Sequence, residues 1–166
     1  MYDICSIQES WFALSNKLAI KIRVEIDQID ELFAVYSDLL EKTRRETPDP
    51  VEVAALGSIL HSFYSGLENI FLRVAKELDR DIPADADSHR ALLNQIGQAT
   101  LQRPALLSPA VTEQLDSYLT FRHFYRHLYT YLLNWVKLEP LVASLEIVWS
   151  QAKTELNIFL DRLRAT

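Results

Sequence analysis

Phe121-Arg-His-Phe-Tyr-Arg-His-Leu-Tyr-Thr-Tyr131 packs two arginines, two histidines and three tyrosines into about three helical turns. No acid interrupts the chain from Ser117 to Leu138. Read as a helix advancing ~100° per residue with Arg122 at zero, Arg126 falls near ~40°, His123 near ~100°, His127 near ~140° and Tyr129 near ~−20°. Phe121, Phe124, Leu128, Leu132 and Trp135 collect on the other side. Such a helix has an apolar stripe for a core and, opposite it, a cationic face ending in a phenol, which suits a phosphate.

The flanking signals extend this helix. Ser108 and Pro109 form a cap and first residue at its start, and Pro140 disfavours helical geometry just before itself. The expected span is therefore Pro109 to about Lys137. A last helix follows to about Leu163 on Leu141, Leu145, Val148, Trp149, Leu156 and Phe159.

Upstream, Trp11, Leu14, Leu18, Ile22, Ile26, Ile29, Phe33, Tyr36 and Leu40 recur every three or four residues, predicting an amphipathic helix over about 4–43. Straight, it would be ~60 Å long, more than a compact bundle needs, so a kink or overhang is expected. Its acids Glu25, Asp27, Asp30 and Glu31 read as a solvated face. Thr47-Pro-Asp-Pro50 breaks the chain. Asp49 and Glu52 are spaced as a capping box for a second helix that reaches about Asp79. Gly57 and Gly66 cost that helix ~1 kcal/mol each against alanine, which close approach of another helix would justify. His61, Tyr64 and Glu68 share one side of it. They read either as a boundary between core and surface or as the lining of a site shared with the cationic helix. After an acidic loop, a short helix from His89 to about Ala99 turns Ala91, Leu92 and Ile96 inward. Arg90 lies in its first turn, where the dipole disfavours a cation, a faint hint of an external anion. The sum is an all-α antiparallel bundle of about five helices, one domain over 1–166.

Composition narrows the function. The chain has 166 residues, 49% of them hydrophobic, and a formal charge of −6. That charge argues against a general nucleic-acid coat protein, so any nucleic-acid chemistry must come from a local patch. Cys5 is alone, which excludes an internal disulfide and makes a reducing cytoplasm the expected compartment. No secretory leader and no membrane span are expected.

There is no glycine-rich phosphate loop, no cysteine cluster and no acid pair of defined spacing. His123 and His127, four apart, could place two imidazoles on one metal, but Arg122 and Arg126 would repel a dication. They could also be packed structurally. Phosphodiester chemistry is the remaining option. RNA carries its own nucleophile, the 2′-hydroxyl. A nuclease need only move protons, which suits histidine, and hold the phosphate, which suits an arginine fork.

Arg122, four residues, His127, one residue, Tyr129 reads Arg-x4-His-x-Tyr, with His123 as the polar residue after the arginine. This resembles the signature of the HEPN superfamily, in particular HepT-type toxins of HepT/MntA toxin–antitoxin modules. The helix order and the segment His61-Ser-Phe-Tyr-Ser-Gly-Leu-Glu-Asn-Ile-Phe71 are similar to the HepT pattern, so the resemblance covers most of the chain. It implies a metal-independent endoribonuclease toxin that works as a dimer. Arg122 and His127 would be catalytic and His123 would assist. The cognate antitoxin, a minimal nucleotidyltransferase, would attach AMP to Tyr129. ATP and magnesium serve that partner, and this chain needs no cofactor of its own. Arg126 departs from the pattern as a second cation inside the motif. With Arg90, Glu68 and Tyr64 it is a candidate for RNA contact. A dimer is also expected because Arg122 and His127 stand ~140° apart on the wheel, and RNA cleavage needs both an acid and a base. Two rivals remain: a HEPN domain without catalysis that serves as a nucleotidyltransferase's partner subunit, and a purely structural helical scaffold.

Overall fold

The computed structural model describes the backbone of residues 4–84 and 86–165 and the side chains of 12–84 and 86–164. Trp11 and Cys5 thus have side chains outside the described residues. The described chain is all-α, without strands: α1 (Ile4–Val35), α2 (Ser37–Lys42), α3 (Pro50–Val74), α4 (Ser88–Ile96), α5 (Pro109–Tyr125) and α6 (Trp135–Ala165).

The expected kink in the first segment falls at Tyr36, whose backbone (φ −104°, ψ 15°) leaves helical geometry and separates α1 from α2. Leu18, Ile22, Ile26, Ile29 and Leu40 are buried, whereas Tyr36 is exposed because the kink turns it off the stripe. The acids of α1 divide into two sets. Asp27 and Glu31 are exposed. Glu25 accepts from Asn69 (3.4 Å) and Arg73 (3.3 Å) on α3, and Asp30 accepts from the Trp149 indole on α6 at 2.8 Å and from Lys153. Half of the supposed solvated face therefore ties α1 to its neighbours.

The central element is α3. Its start is the expected capping box, with Asp49 accepting from the Glu52 amide and Glu52 from the Asp49 amide, both at 2.9 Å. Apolar residues then cover more than one face. Leu56, Leu60, Phe63, Leu67, Ile70 and Phe71 are all fully buried, as a helix surrounded by others requires. It touches α1, α4, α5 and α6. Its last turn widens into a π-turn, Ala75–Asp79, that stops at Arg80 in the left-handed region (φ 53°). Asp79 lies on no open loop: Arg103 grips it through Nε (2.7 Å) and Nη2 (2.6 Å), and both side chains are almost wholly buried. This pair fastens the connection between α4 and α5 to the end of α3.

The fourth expected helix is shorter than its pattern suggests. Ser108 caps α5 by accepting from the Val111 amide, and Pro109 is its first residue. The helix ends at Tyr125, twelve residues before Lys137. The His127 amide reaches back only to Phe124 (3.2 Å) and that of Leu128 to Tyr125 (3.4 Å), a tightened final turn. Tyr129 is extended, Thr130–Leu132 make one 3-10 turn, and Asn134 starts α6 by accepting from the Val136 amide at 3.0 Å. Asn134 is a cap signal that the aromatic periodicity outweighed. Pro140 does not divide two helices but lies inside α6. Its missing N–H removes one intrahelical bond, a cost that the rest of this long helix outweighs. The wheel positions of His127 and Tyr129 therefore do not apply, and six helices replace five. Phe124 and Leu132 are about half exposed and border an open apolar groove of about 630 Å³ between α5 and α6.

The two α3 glycines face side chains rather than a helix backbone. A Cβ at Gly66 would stand 2.9 Å from Ile29 Cγ1, and one at Gly57 would stand 2.6 Å from Leu133 Cδ1 and 3.1 Å from the Tyr125 ring. Ile29 is buried and β-branched, so it yields poorly, whereas the Leu133 methyl is the tip of a flexible chain. Gly66→Ala is expected to lower stability by about 1 kcal/mol net, the crowding outweighing the gain in helix propensity. Gly57→Ala should stay within about 0.5 kcal/mol of the parent. Urea unfolding of the two variants checks the order.

Candidate active site

Glu68 is the residue around which the motif is assembled. It lies on α3 at 5% exposure. A carboxylate so placed is costly unless charged donors meet it. Arg122, in the last turn of α5, is ion-paired through Nη2 with Oε1 at 2.9 Å, and its Nε donates to Ser65 Oγ at 3.4 Å. His89, in the first turn of α4, places Nδ1 2.8 Å from Oε2. One carboxylate thus joins three helices. The Arg122 Nη1 has no hydrogen-bond partner among the described residues.

Beside this junction lies a pocket of about 170 Å³, lined by Asp87, His89 and Arg90 at the start of α4 and by Thr120, Arg122 and His123 on α5. Arg90 does not stand free as the first-turn argument supposed: Nη1 pairs with Asp116 on α5, and Nε lies 3.9 Å from Asp87. Tyr64 is fully buried, its hydroxyl has no hydrogen-bond partner, and burial followed by the nearby Glu68 charge raises its pKa. The Glu68 carboxylate, nearly buried as well, has its contacts with Arg122 and His89.

His123 lies in the last turn of α5 and His127 just past its end. Both are exposed, and their ring centroids are 5.7 Å apart with planes at 65°. Arg126 is exposed and makes no hydrogen bond or ion pair among the described residues. Tyr129 is 73% exposed and stacks on Tyr131 at 5.9 Å. The structure therefore brings Arg122, His123, Glu68 and Arg90 to one junction, with His127 adjoining through His123. Tyr129 is displayed on the extended segment beyond. His89 and Ser65 were not read as site residues. The signal for them was indirect: a glutamate on a face otherwise apolar needs partners. Among the described residues no three His, Cys, Asp or Glu side chains gather as a metal site would need. Nor is any helix long and apolar enough to cross a membrane.

An all-α chain with an arginine, a polar residue and a histidine at this helix end has the makings of a HEPN domain. Residues 55–163, more than half of the chain and all of the site, match the family model described as HepT-like protein. The chain belongs to the HepT-like family of the HEPN superfamily, and so to a group of toxin–antitoxin proteins. Comparison with curated proteins found no match. Comparison with solved structures found none either.

His61, on α3 behind the junction, stacks on Tyr125 at 5.0 Å, and its Nδ1 has no partner. Burial lowers its pKa from 6.5, Arg122 and Arg126 lower it further, and Glu68 acts weakly the other way. The unfolded chain therefore takes up this proton first. Stability should fall as pH drops below the unfolded value of 6.5 and stop falling, for this group, below the folded one. Between about pH 7.5 and about pH 5.5 the urea midpoint of the parent should fall more than that of His61→Phe, which keeps a ring against Tyr125. Equal falls would remove His61 as the cause.

Proposed function

We propose that this chain is a metal-independent endoribonuclease toxin, active as a homodimer and silenced by a nucleotidyltransferase antitoxin that attaches AMP to Tyr129. The observation that carries the reading is the division of the motif. Arg122 is locked by Glu68 and Ser65, while His127 and Tyr129 lie past the helix end, exposed. A fixed guanidinium lining a pocket suits a phosphate that must be held still, and an exposed imidazole suits proton transfer to and from RNA. His123 touches both groups' surroundings and would assist. Arg126 adds charge for the RNA backbone.

An extended, exposed tyrosine can enter another enzyme's active site more readily than one within a helix. AMP there would bring a phosphate and a purine close to Arg126 and the imidazoles, competing with RNA by charge and by bulk. ATP and magnesium would be consumed by the antitoxin. Phe124, Tyr131, Leu132 and Val136, all at least half exposed, are apolar side chains in and next to the motif, whose burial would favour a second copy of the chain. The alternative, a non-catalytic partner subunit of a nucleotidyltransferase, has one observation on its side: the Arg122 guanidinium already holds a carboxylate. Cleavage of RNA by the purified chain separates the two.

Arg122→Ala and His127→Ala should each abolish cleavage and growth inhibition. His127→Ala should leave melting unchanged, and Arg122→Ala should lower it because Glu68 loses its cation. Activity should persist in excess EDTA. Full activity of either variant sinks the assignment.

Co-expression with the cognate nucleotidyltransferase should add ~329 Da per AMP, the mass of a nucleotidyl group retained as a phosphodiester, with the label on Tyr129. Tyr129→Phe should stay toxic and escape silencing. Intact-mass and fragment spectra decide this, and a label away from residues 126–134 would exclude the mechanism.

A further inference from the structure

Cleavage through the 2′-hydroxyl needs one group to take a proton and another to give one, and the motif of one protomer offers His127 for only one of these tasks. We propose that His89, held by Glu68 in the pocket shared with Arg122 and His123, is the second proton-transfer group of the site, a role that rests on the ribonuclease reading.

The Glu68 carboxylate lies between Arg122 Nη2 at 2.9 Å and His89 Nδ1 at 2.8 Å. An ionised carboxylate only accepts, so Nδ1 carries the hydrogen, and in the neutral imidazole the lone pair is on Nε2. His89 is not needed to neutralise Glu68, because Arg122 already supplies one positive charge for one negative. Its side chain is 40% exposed and lines the pocket of about 170 Å³. It is therefore an imidazole with its tautomer set on one side and a cavity on the other. The charged and titratable groups around it are Glu68 from α3, Arg122 and His123 from α5, and Asp87 and Arg90 on its own element, with Asp116 behind Arg90.

With RNA in place, the 2′-hydroxyl proton passes to His89 Nε2 as the 2′-oxygen bonds to phosphorus. Glu68 stabilises the imidazolium that forms. The bond from phosphorus to the 5′-oxygen breaks, and that oxygen takes a proton from the protonated His127. The products are a 2′,3′-cyclic phosphate and a 5′-hydroxyl end. Each imidazole then returns to its starting state by proton exchange with water. The second imidazole is thus supplied from α4 of the same chain.

Cleavage of a single-stranded RNA oligonucleotide in EDTA tests this, with kcat, KM, the pH–rate profile and product ends measured for parent, His89→Ala, His89→Gln and His127→Ala. His89→Gln keeps an amide donor for Glu68, so a purely structural role would be rescued by it. We expect both His89 variants to lose kcat by about 100-fold or more with KM nearly unchanged, and to lose the acidic limb of the profile. If His89→Gln keeps the parental kcat and profile while His127→Ala is inactive, the ribonuclease reading stands and the role of His89 is wrong. A parent chain that cuts no RNA overturns both.

Discussion

A single buried negative charge organises this molecule's functional end. Glu68 sits on the most enclosed helix, where an unpaired carboxylate would be heavily penalised, and the partners that relieve it come from α4 and α5. Such a junction is a weak source of net stability, since desolvation offsets much of the attraction. Its value is directional. The packing of Leu60, Phe63 and Leu67 would tolerate small rotations of α5 over α3, whereas a guanidinium shared between a carboxylate and the Ser65 hydroxyl would not. The arginine proposed to hold phosphate is therefore aimed by the core.

The same arrangement tempers the cationic character of the surface. Arg122 answers to Glu68 and Arg90 to Asp116, so two of the three arginines near the site are already compensated, in a chain whose formal charge is −6. What remains outward is Arg126 and a set of imidazoles whose charge depends on pH. A polyanion meeting this face would find modest long-range attraction and specific short-range donors. That balance suits a nuclease selective for a particular RNA geometry better than a protein that coats nucleic acid.

Much of this was legible in the sequence, and the failures share one cause. Helix starts written in cap chemistry, Asp49 with Pro50 and Ser108 with Pro109, appear where their residues place them, because a cap is a local signal. The apolar spacing of α1, α3 and α6 found their buried faces. The end of α5 was missed because no glycine marks it and the aromatics continue in helical register through a segment that is not helical. Phe124 near the end of α5 and Leu132 beyond it face an open groove instead of the core, so periodicity carried no burial behind it. Asn134 was the overlooked start signal, and Pro140 was given a boundary role that an early helical position does not require. Arg122 and Glu68 could be singled out as a residue type and a position, but their meeting across two helices could not be read from spacing. His89 was invisible for the same reason, being tied to the site by a contact that spans twenty-one residues of chain.

The segment between α5 and α6 looks at first like a loose connector, yet it is clamped at both ends. Tyr125 and Leu133 close over Gly57, one from each side of the exposed residues, and a glycine is what lets them come so near. Chain held in this way has few conformations left to give up. In the proposed encounters of His127 with RNA and of Tyr129 with a modifying enzyme, little ordering entropy would have to be spent, and more of the contact energy would be retained as affinity. Contacts with a buried helix at its two ends thus limit the freedom of the stretch that displays the surface tyrosine and histidine.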